Sequence, residues 1–273
     1  MPSRVGVILF PGSNCEQDAV EAVRMLGGEA ELLWHGDATV AGVDAVIVPG
    51  GFAHGDYLRP GAIARFSPVM AAVQRFADEG GPVVGICNGF QVLTEAGLLP
   101  GALQKNRGLK FLCATTTLRV ETTSSVLTSE LAVGDQLRIP INHFEGNYTC
   151  DPETLSVLKA DDRVVFRYVD NPNGSIDDIA GICSSGRNVV GLMPHPERAI
   201  SPLLGSDDGV GCCGRCCARD GGLTGRRRHE TRGRLGARSF SLRREMPAAL
   251  STEAGTPWPA RRRTRCPCDP SRP

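Results

Sequence analysis

Aromatic residues are scarce in this 273-residue chain: two Trp, three Tyr and nine Phe, or 5% of the total. Apolar residues nevertheless reach 41%, so a core has to be built mainly from Val, Leu, Ile and Ala. The length suits one large domain or two small ones. Runs of about 18 apolar residues are also missing, so no transmembrane helix is expected. The apolar stretch Val5 to Phe10 is too short for a signal h-region and runs into Pro11-Gly12 without a cleavage-type site. The expected compartment is the cytoplasm.

A net charge is lacking too, but the zero is a cancellation. Residues 1–209 hold 15 Lys/Arg against 25 Asp/Glu, a balance of −10, while residues 210–273 hold 15 Arg, no Lys and 5 Asp/Glu, a balance of +10. Five cysteines are spread over the first part and six crowd into the second. Two kinds of sequence meet near Val210, which divides the chain into a domain over 1–209 and a tail over 210–273.

In the first part, short apolar runs alternate with helical spacing. Arg4 to Phe10 reads as a buried strand ending at Pro-Gly. Ser13, with Glu16 three residues on, has the spacing of a capping box for a helix that stops at Gly27-Gly28. Further strands are expected at Ala30 to Trp34, Ala45 to Val48 and Val83 to Ile86. A helix interrupted near Ser67-Pro68 is expected over 62–79, and another through Leu93 to about Ala96. Such alternation predicts an α/β fold with an open, mainly parallel sheet and helices on both faces. From 110 to 193 the runs alternate more and are joined by Asn/Gly turns, as at Asn171-Pro-Asn-Gly174. They predict an antiparallel extension that then returns to the sheet.

Open α/β sheets carry their chemistry at the carboxyl ends of the strands. Three such ends stand out. Gly85-Ile-Cys-Asn-Gly89 has the layout of a nucleophile elbow, with Cys87 on a tight turn at a helix N-terminus that favours the thiolate. Taken alone, that pattern favours an ordinary buried apolar cysteine. Gly50-Gly51 can present backbone N–H groups to an oxyanion, and Asn88 N–H is placed to be the other donor. Pro196 disfavours a helical His195 and points to an extended segment, so that Glu197, two residues on, lies beside the imidazole. His195 can then take the Cys87 thiol proton and later protonate a leaving amine. The three pieces occurring together make a Cys-His-Glu catalytic set the preferred reading over three unrelated loop features.

Pro49-Gly-Gly-Phe52, Gly85-Ile-Cys-Asn-Gly-Phe-Gln91 and Pro194-His-Pro-Glu197 resemble the signature blocks of class I glutamine amidotransferases. Phe10 to Cys15, Gly50 to Ala62, Asn106-Arg107, Asn142 to Gly146, Tyr168 to Ser175 and Met193 to Arg198 narrow the resemblance. They are similar to the glutaminase subunits of phosphoribosylformylglycinamidine synthase, over about residues 3–209. The resemblance implies hydrolysis of glutamine to glutamate and ammonia by Cys87, His195 and Glu197, with Gly51 and Asn88 as oxyanion donors. It also implies a large synthetase subunit that uses the ammonia in an ATP-dependent amination, in company with a small third subunit. No cofactor is expected in the glutaminase itself, ATP and Mg²⁺ being the partner's. Gln91 and Gly50 are candidates for holding substrate, with packing against the elbow as the alternative for Gln91. His54 and Asp56 face the pocket or the partner synthetase, with an ordinary solvated loop as the alternative. His143 and Glu145 read as structural or interface residues bordering the site. Cys15, Cys113, Cys150 and Cys183 lack metal-ligand spacing and read as ordinary reduced thiols. No metal site is expected in this part.

The family pattern calls for a closing amphipathic helix after Leu203 to Gly209, capped by Ser206 or Asp207, but no helical period follows. The tail is instead Gly-, Pro-, Arg- and Cys-rich and is expected to be disordered. Cys213-x-x-Cys216 has zinc-ligand spacing, yet the paired cysteines and absent fold disfavour a zinc site. Clusters such as Arg226-Arg-Arg228 and Arg261-Arg-Arg263 can bind phosphate, but without interleaved aromatics a nucleic-acid arm is disfavoured. An out-of-frame C-terminus explains the composition best. Two other functions remain open from the sequence: a glutaminase serving a different synthetase, and a non-catalytic amidotransferase-like protein.

Overall fold

The computed structural model describes residues 2–40 and 42–217. Its first half follows the expected alternation: β1 (Arg4–Leu9), α1 (Glu16–Met25), β2 (Glu29–Trp34), β3 (Ala45–Val48), α2 (Pro68–Asp78), β4 (Val83–Ile86) and α3 (Asn88–Glu95). The second half adds β5 (Ala102–Gln104), β6 (Leu112–Val120), β7 (Gln136–His143), β8 (Asn147–Thr149), α4 (Pro152–Ala160), β9 (Val164–Tyr168), β10 (Ile179–Cys183), β11 (Val189–Leu192) and α5 (Val210–Cys217). A nine-stranded sheet runs β2-β1-β3-β4-β11-β10-β9-β6-β7, and β5 and β8 form a separate small ladder.

The sheet has a parallel part and an antiparallel part. β1 to β4 and β11 are mutually parallel, while β10, β9, β6 and β7 each run antiparallel to their neighbours. The strands in the middle are buried along their whole length: β3, β4 and β11 are four residues each and none is exposed. Covered on both faces, they have no reason to alternate, which is why their sequences read as unbroken apolar runs. Towards the antiparallel edge, β7 alternates instead, with Leu137, Ile139, Ile141 and His143 inward. β2, at the other edge, carries Glu29 and Glu31, and Glu31 pairs with Arg4 at 3.1 Å; charges on an edge strand discourage pairing with another chain.

The order β2-β1-β3-β4 reverses direction between β1 and β3. Right-handed crossovers therefore put α1 on one face and α2 on the other, and the crevice of the sheet opens at that reversal. The segments following β1, β3, β4 and β11 all emerge at the same carboxyl edge.

Several local expectations change. Ser13 does not cap α1; its hydroxyl accepts from Phe10 N–H at 3.2 Å and its backbone bridges Gly51. The expected 62–79 helix is broken as foreseen, with Ser67 as N-cap and Pro68 at the first turn of α2. The short strands β5 and β8, the helix α4 and the strand β10 lie outside the elements expected from the sequence. α4 begins at Asp151, whose carboxylate caps Thr154 N–H at 2.8 Å, and β10 is wholly buried. Finally, residues 210–217 are helical rather than irregular. Gly209 makes this possible, since a Cβ there would lie 2.2 Å from Pro196 O, and Cys212 is buried against the core. The expectations for the remainder of the tail, including Arg226 to Arg228 and Arg261 to Arg263, lie outside the described residues.

Candidate active site

Cys87 sits between β4 and α3 with φ 51° and ψ −106°, a conformation L-residues avoid and one that costs on the order of 1–3 kcal/mol. The neighbouring glycines allow it. A Cβ on Gly89 would lie 1.8 Å from Val48 O, and one on Gly85 2.5 Å from Leu93 Cδ1. The helix thus sits directly on the end of β3, closer than any side chain permits. The backbone of Cys87 is tied to the sheet by its N–H to Leu192 O at 2.8 Å. The thiol, 5% exposed, donates weakly to Asn142 O at 3.7 Å.

His195 follows β11 and is held by its N–H to Pro140 O at 2.8 Å. Its Nδ1 meets Glu197 Oε1 at 2.6 Å, with the two side chains only 1% and 2% exposed. The sequence pattern anticipates this contact but not its backbone: Pro196–Arg198 is a 3-10 turn, and that turn rather than an extended segment brings the groups together. Burial alone lowers the His195 pKa, but the charge of Glu197, and then of Cys87, outweighs it and lifts the pKa to about 10. His195 Nε2 is buried with no hydrogen-bond partner, while the neighbouring Cys87 charge favours the imidazolium.

Cys87 and His195 line one cavity of about 370 Å³ together with Gly51, Asp56, Gln91 and Glu145. Gly51 (φ 128°) turns so tightly against Asn14 that a Cβ would lie 2.7 Å from Asn14 N. Gly50 has no room either: its Cβ would lie 2.8 Å from His195 Cε1, so it packs against the imidazole. Asn88, the first residue of α3, has no intrahelical acceptor for its N–H. Its side chain ties three segments together. Oδ1 accepts from Ala53 N–H at 3.0 Å, and Nδ2 donates to Asp56 Oδ1 at 3.0 Å and Gln91 Oε1 at 2.8 Å. Gln91 Nε2 in turn donates to Glu145 O at 2.5 Å.

Of the less certain candidates, His54 does not line the cavity. Its ring packs on Phe10 and His35, 6.0 and 5.2 Å between centroids, and Nε2 meets Ser67 Oγ at 3.3 Å. Asp56 does line it, and so do His143 and Glu145, for which the sequence favours a structural or interface role. Burial pushes the Asp56 carboxyl up to about 6; the Asn88 hydrogen bond opposes the rise and nearby Glu145 adds to it.

His143 is fixed by Asn106. The Asn106 amide nitrogen donates to Lys110 O and His143 O at 2.9 and 3.0 Å, and its oxygen accepts from Gly146 N–H at 3.1 Å. The contact of His143 Nδ1 with that same oxygen at 3.1 Å therefore assigns the proton to Nδ1. Nε2 is left as an unpartnered acceptor. Burial lowers the His143 pKa to about 4, with the charge of His195 contributing in the same direction. Asn173 Nδ2 braces the same turn through Gly146 O at 2.8 Å. The Asn106, Asn142 to Gly146 and Tyr168 to Ser175 blocks, far apart in sequence, thus form one wall.

Sequence reasoning missed Cys15 and Arg198. Both line the cavity, with Arg198 Nη2 3.0 Å from Cys15 Sγ and Nε 2.8 Å from Asp18. Burial raises the Cys15 thiol to about 12 despite that guanidinium, so it stays protonated at neutral pH. The only sequence signal was their place within the motif blocks. Among the described residues, no three His, Cys, Asp or Glu side chains gather in a metal-holding group, and no helix is long and apolar enough to cross a membrane.

The family model of the CobB/CobQ-like glutamine amidotransferase domain matches residues 2–207. Phosphoribosylformylglycinamidine synthase subunit PurQ of Rubrobacter xylanophilus is 62% identical over 208 residues, covering 76% of this chain and 94% of that protein. The protein of that name from Mycobacterium tuberculosis is 57% identical over 212 residues, covering 77% and 95%. Among solved structures, a chain of PurLQS from Thermotoga maritima superposes with a TM-score of 0.74 at 40% identity, covering 79% of this chain and 98% of that one. A GMP synthase component from Thermoplasma acidophilum, with a TM-score of 0.54 at 16% identity and covering 79% and 94%, shares the fold. With its elbow cysteine, its buried His-Glu pair and these relatives, the chain belongs to the CobB/CobQ-like glutamine amidotransferase family, among the PurQ subunits of phosphoribosylformylglycinamidine synthase.

Proposed function

We propose that this chain hydrolyses glutamine to glutamate and ammonia through Cys87, His195 and Glu197, as the glutaminase subunit of phosphoribosylformylglycinamidine synthase. The observation that carries the reading is a strained elbow cysteine sharing a cavity with a histidine bound to a buried glutamate at 2.6 Å. The Cys87 thiolate attacks the side-chain amide carbon. Gly51 and Asn88 N–H groups receive the oxyanion. His195 gives its proton to the departing nitrogen, the C–N bond breaks, and ammonia leaves a γ-glutamyl thioester behind. Water then attacks the thioester with His195 as base, releasing glutamate and returning the thiolate. Glu197 holds the histidine tautomer and stabilises the imidazolium.

The ammonia passes to a large synthetase subunit, which works in company with a small third subunit. The large subunit converts formylglycinamide ribonucleotide to formylglycinamidine ribonucleotide at the expense of ATP. In this reading the glutaminase step uses side chains and backbone alone, ATP and Mg²⁺ serve the synthetase, and the complex works in the cytoplasm. Relatives at 57–62% identity bearing the PurQ name favour this customer over another synthetase.

The test is glutamine hydrolysis by the assembled complex. Cys87→Ala is expected to abolish it while synthesis driven by added ammonium salt continues, and Glu197→Gln to lower kcat by about 10²–10⁴-fold. Hydrolysis that survives Cys87→Ala overturns the mechanism.

A further inference from the structure

The cavity around Cys87 contains an acidic wall for which the hydrolysis steps above have no use. Asp56 and Glu145 both line it, and neither has a protein counter-ion among the described residues. The two guanidinium groups that line the same cavity are already committed. Arg59 is bound through Nε and Nη2 to Glu95 at 2.6 and 2.7 Å, and Arg198 is bound to Asp18 and Cys15. Asp56 spends only Oδ1, on Asn88. A third acceptor is unspent in the same cavity: Nε2 of His143, a residue 4% exposed, whose lone-pair character follows from the Asn106 network. A wall of uncommitted acceptors without a cation asks for a ligand group that brings several N–H donors and a positive charge.

Glutamine has one such group. We propose that Asp56, with Glu145 beside it, recognises the α-ammonium of the glutamine substrate, so that the cavity accepts an α-amino acid amide and rejects a simple carboxamide. The proposal rests on the glutaminase reading above. Its geometry follows from helix α3. Asn88 and Gln91 link the elbow to Asp56 and to the backbone of Glu145 within one helical turn, which fixes the acidic wall relative to Cys87. A substrate gripped at its ammonium end is thereby registered with its amide over the nucleophile. The carboxyl of Asp56, raised to about 6 by burial, behaves as a group that lacks a cation until substrate arrives.

The experiment measures hydrolysis of l-glutamine and of 4-carbamoylbutanoate, the same amide without the α-amino group, by the assembled complex. Wild type is expected to favour glutamine in kcat/KM by on the order of a hundredfold or more. Asp56→Asn keeps an acceptor for Asn88 Nδ2 but removes the charge. It is expected to raise KM for glutamine by roughly tenfold to a hundredfold, the loss of a charge-assisted hydrogen bond. With the analogue its kcat/KM should hold, so the preference collapses. Glu145→Gln should move KM in the same direction by less.

In wild type, KM for glutamine should rise as the pH falls through about 6, where Asp56 takes up its proton. Cys87 and His195 line the same cavity, and hydrolysis of either substrate runs through that pair. The analogue depends on that pair equally and serves as the control, and its KM should lack the inflection.

An equal loss of kcat on both substrates would mean that Asp56 merely holds Asn88, and would overturn the proposal. So would altered inhibition by ammonium chloride with an unchanged KM for glutamine, which would assign the acidic pair to the released product. If Asp56→Asn fails to fold, Glu145→Gln and the wild-type pH comparison decide. Wild type that cleaves both substrates equally well sinks this proposal alone; wild type that cleaves neither sinks the glutaminase reading and this with it.

Discussion

Gly89→Ala isolates the step from chain packing to chemistry. The added Cβ would stand 1.8 Å from Val48 O, 2.6 Å from Val48 C and 3.2 Å from Pro49 O. All three are backbone atoms at the end of a buried strand, so no side chain can swing aside. Relief to an ordinary carbon–oxygen contact of about 3.2 Å requires α3 to retreat from β3 by roughly 1.4 Å. Overpacking of this kind costs about 1–3 kcal/mol or more. The larger consequence falls on the site, because Asn88 N–H and the Cys87 elbow ride on α3 while Gly51 is anchored to β3. A displacement of about 1 Å between catalytic groups costs on the order of a hundredfold in rate.

Gly97→Ala is the matching control on the same helix. Gly97 lies just past the C-terminal end with φ 76° and nothing within 4 Å of a new Cβ, so only left-handed strain of roughly 1 kcal/mol is added. Denaturant unfolding and glutamine hydrolysis, measured on both variants, separate the effects. Gly97→Ala is expected to lose about 1 kcal/mol and keep its activity, and Gly89→Ala to lose at least roughly a hundredfold in kcat/KM. If Gly89→Ala retained activity within a few-fold of wild type, the claim that close approach of α3 to β3 sets the oxyanion geometry would be refuted.

Two further outcomes follow from the site. Cys87→Gly should be more stable than Cys87→Ala by on the order of 1 kcal/mol, since glycine alone is at ease at φ 51°; equal melting temperatures for the two inactive variants would deny strain at the elbow. His143 is held neutral down to about pH 4 in the folded chain, against 6.5 for an unperturbed histidine. The unfolded chain therefore binds a proton that the folded one refuses between those values. Stability is present in full above pH 6.5 and declines as pH falls toward 4, by up to about 3 kcal/mol. His143→Gln should flatten that part of the urea-unfolding profile, and an unchanged slope would contradict the assigned environment.

Much of the architecture was legible because its causes are local. Strands buried on both faces need continuous apolar runs, so β1, β3 and β4 announced themselves. A thiol that must leave a strand on a strained turn needs small neighbours, so Gly85 and Gly89 marked Cys87. A proline beside a histidine, with a carboxylate two residues on, restricts the chain enough to make the His195–Glu197 contact foreseeable, although the turn between them was not. What stayed hidden depends on groups far apart in the chain. Ser13 looked like a cap, yet it bridges Gly51 across the sheet crevice. Asp56 and His54, two residues apart in one loop, part company because His54 is drawn into the Phe10–His35 cluster while Asp56 is held at the cavity by Asn88. Cys15 and Arg198 meet across 183 positions, and His143 acquires its tautomer from Asn106. The sequence by itself determined the elbow, the His195–Glu197 contact and the parallel core, since each rests on backbone sterics within a few residues. Only the tertiary structure decided which polar side chains share the cavity and in what state of charge. Burial and neighbouring charge are set by segments that the fold alone brings together.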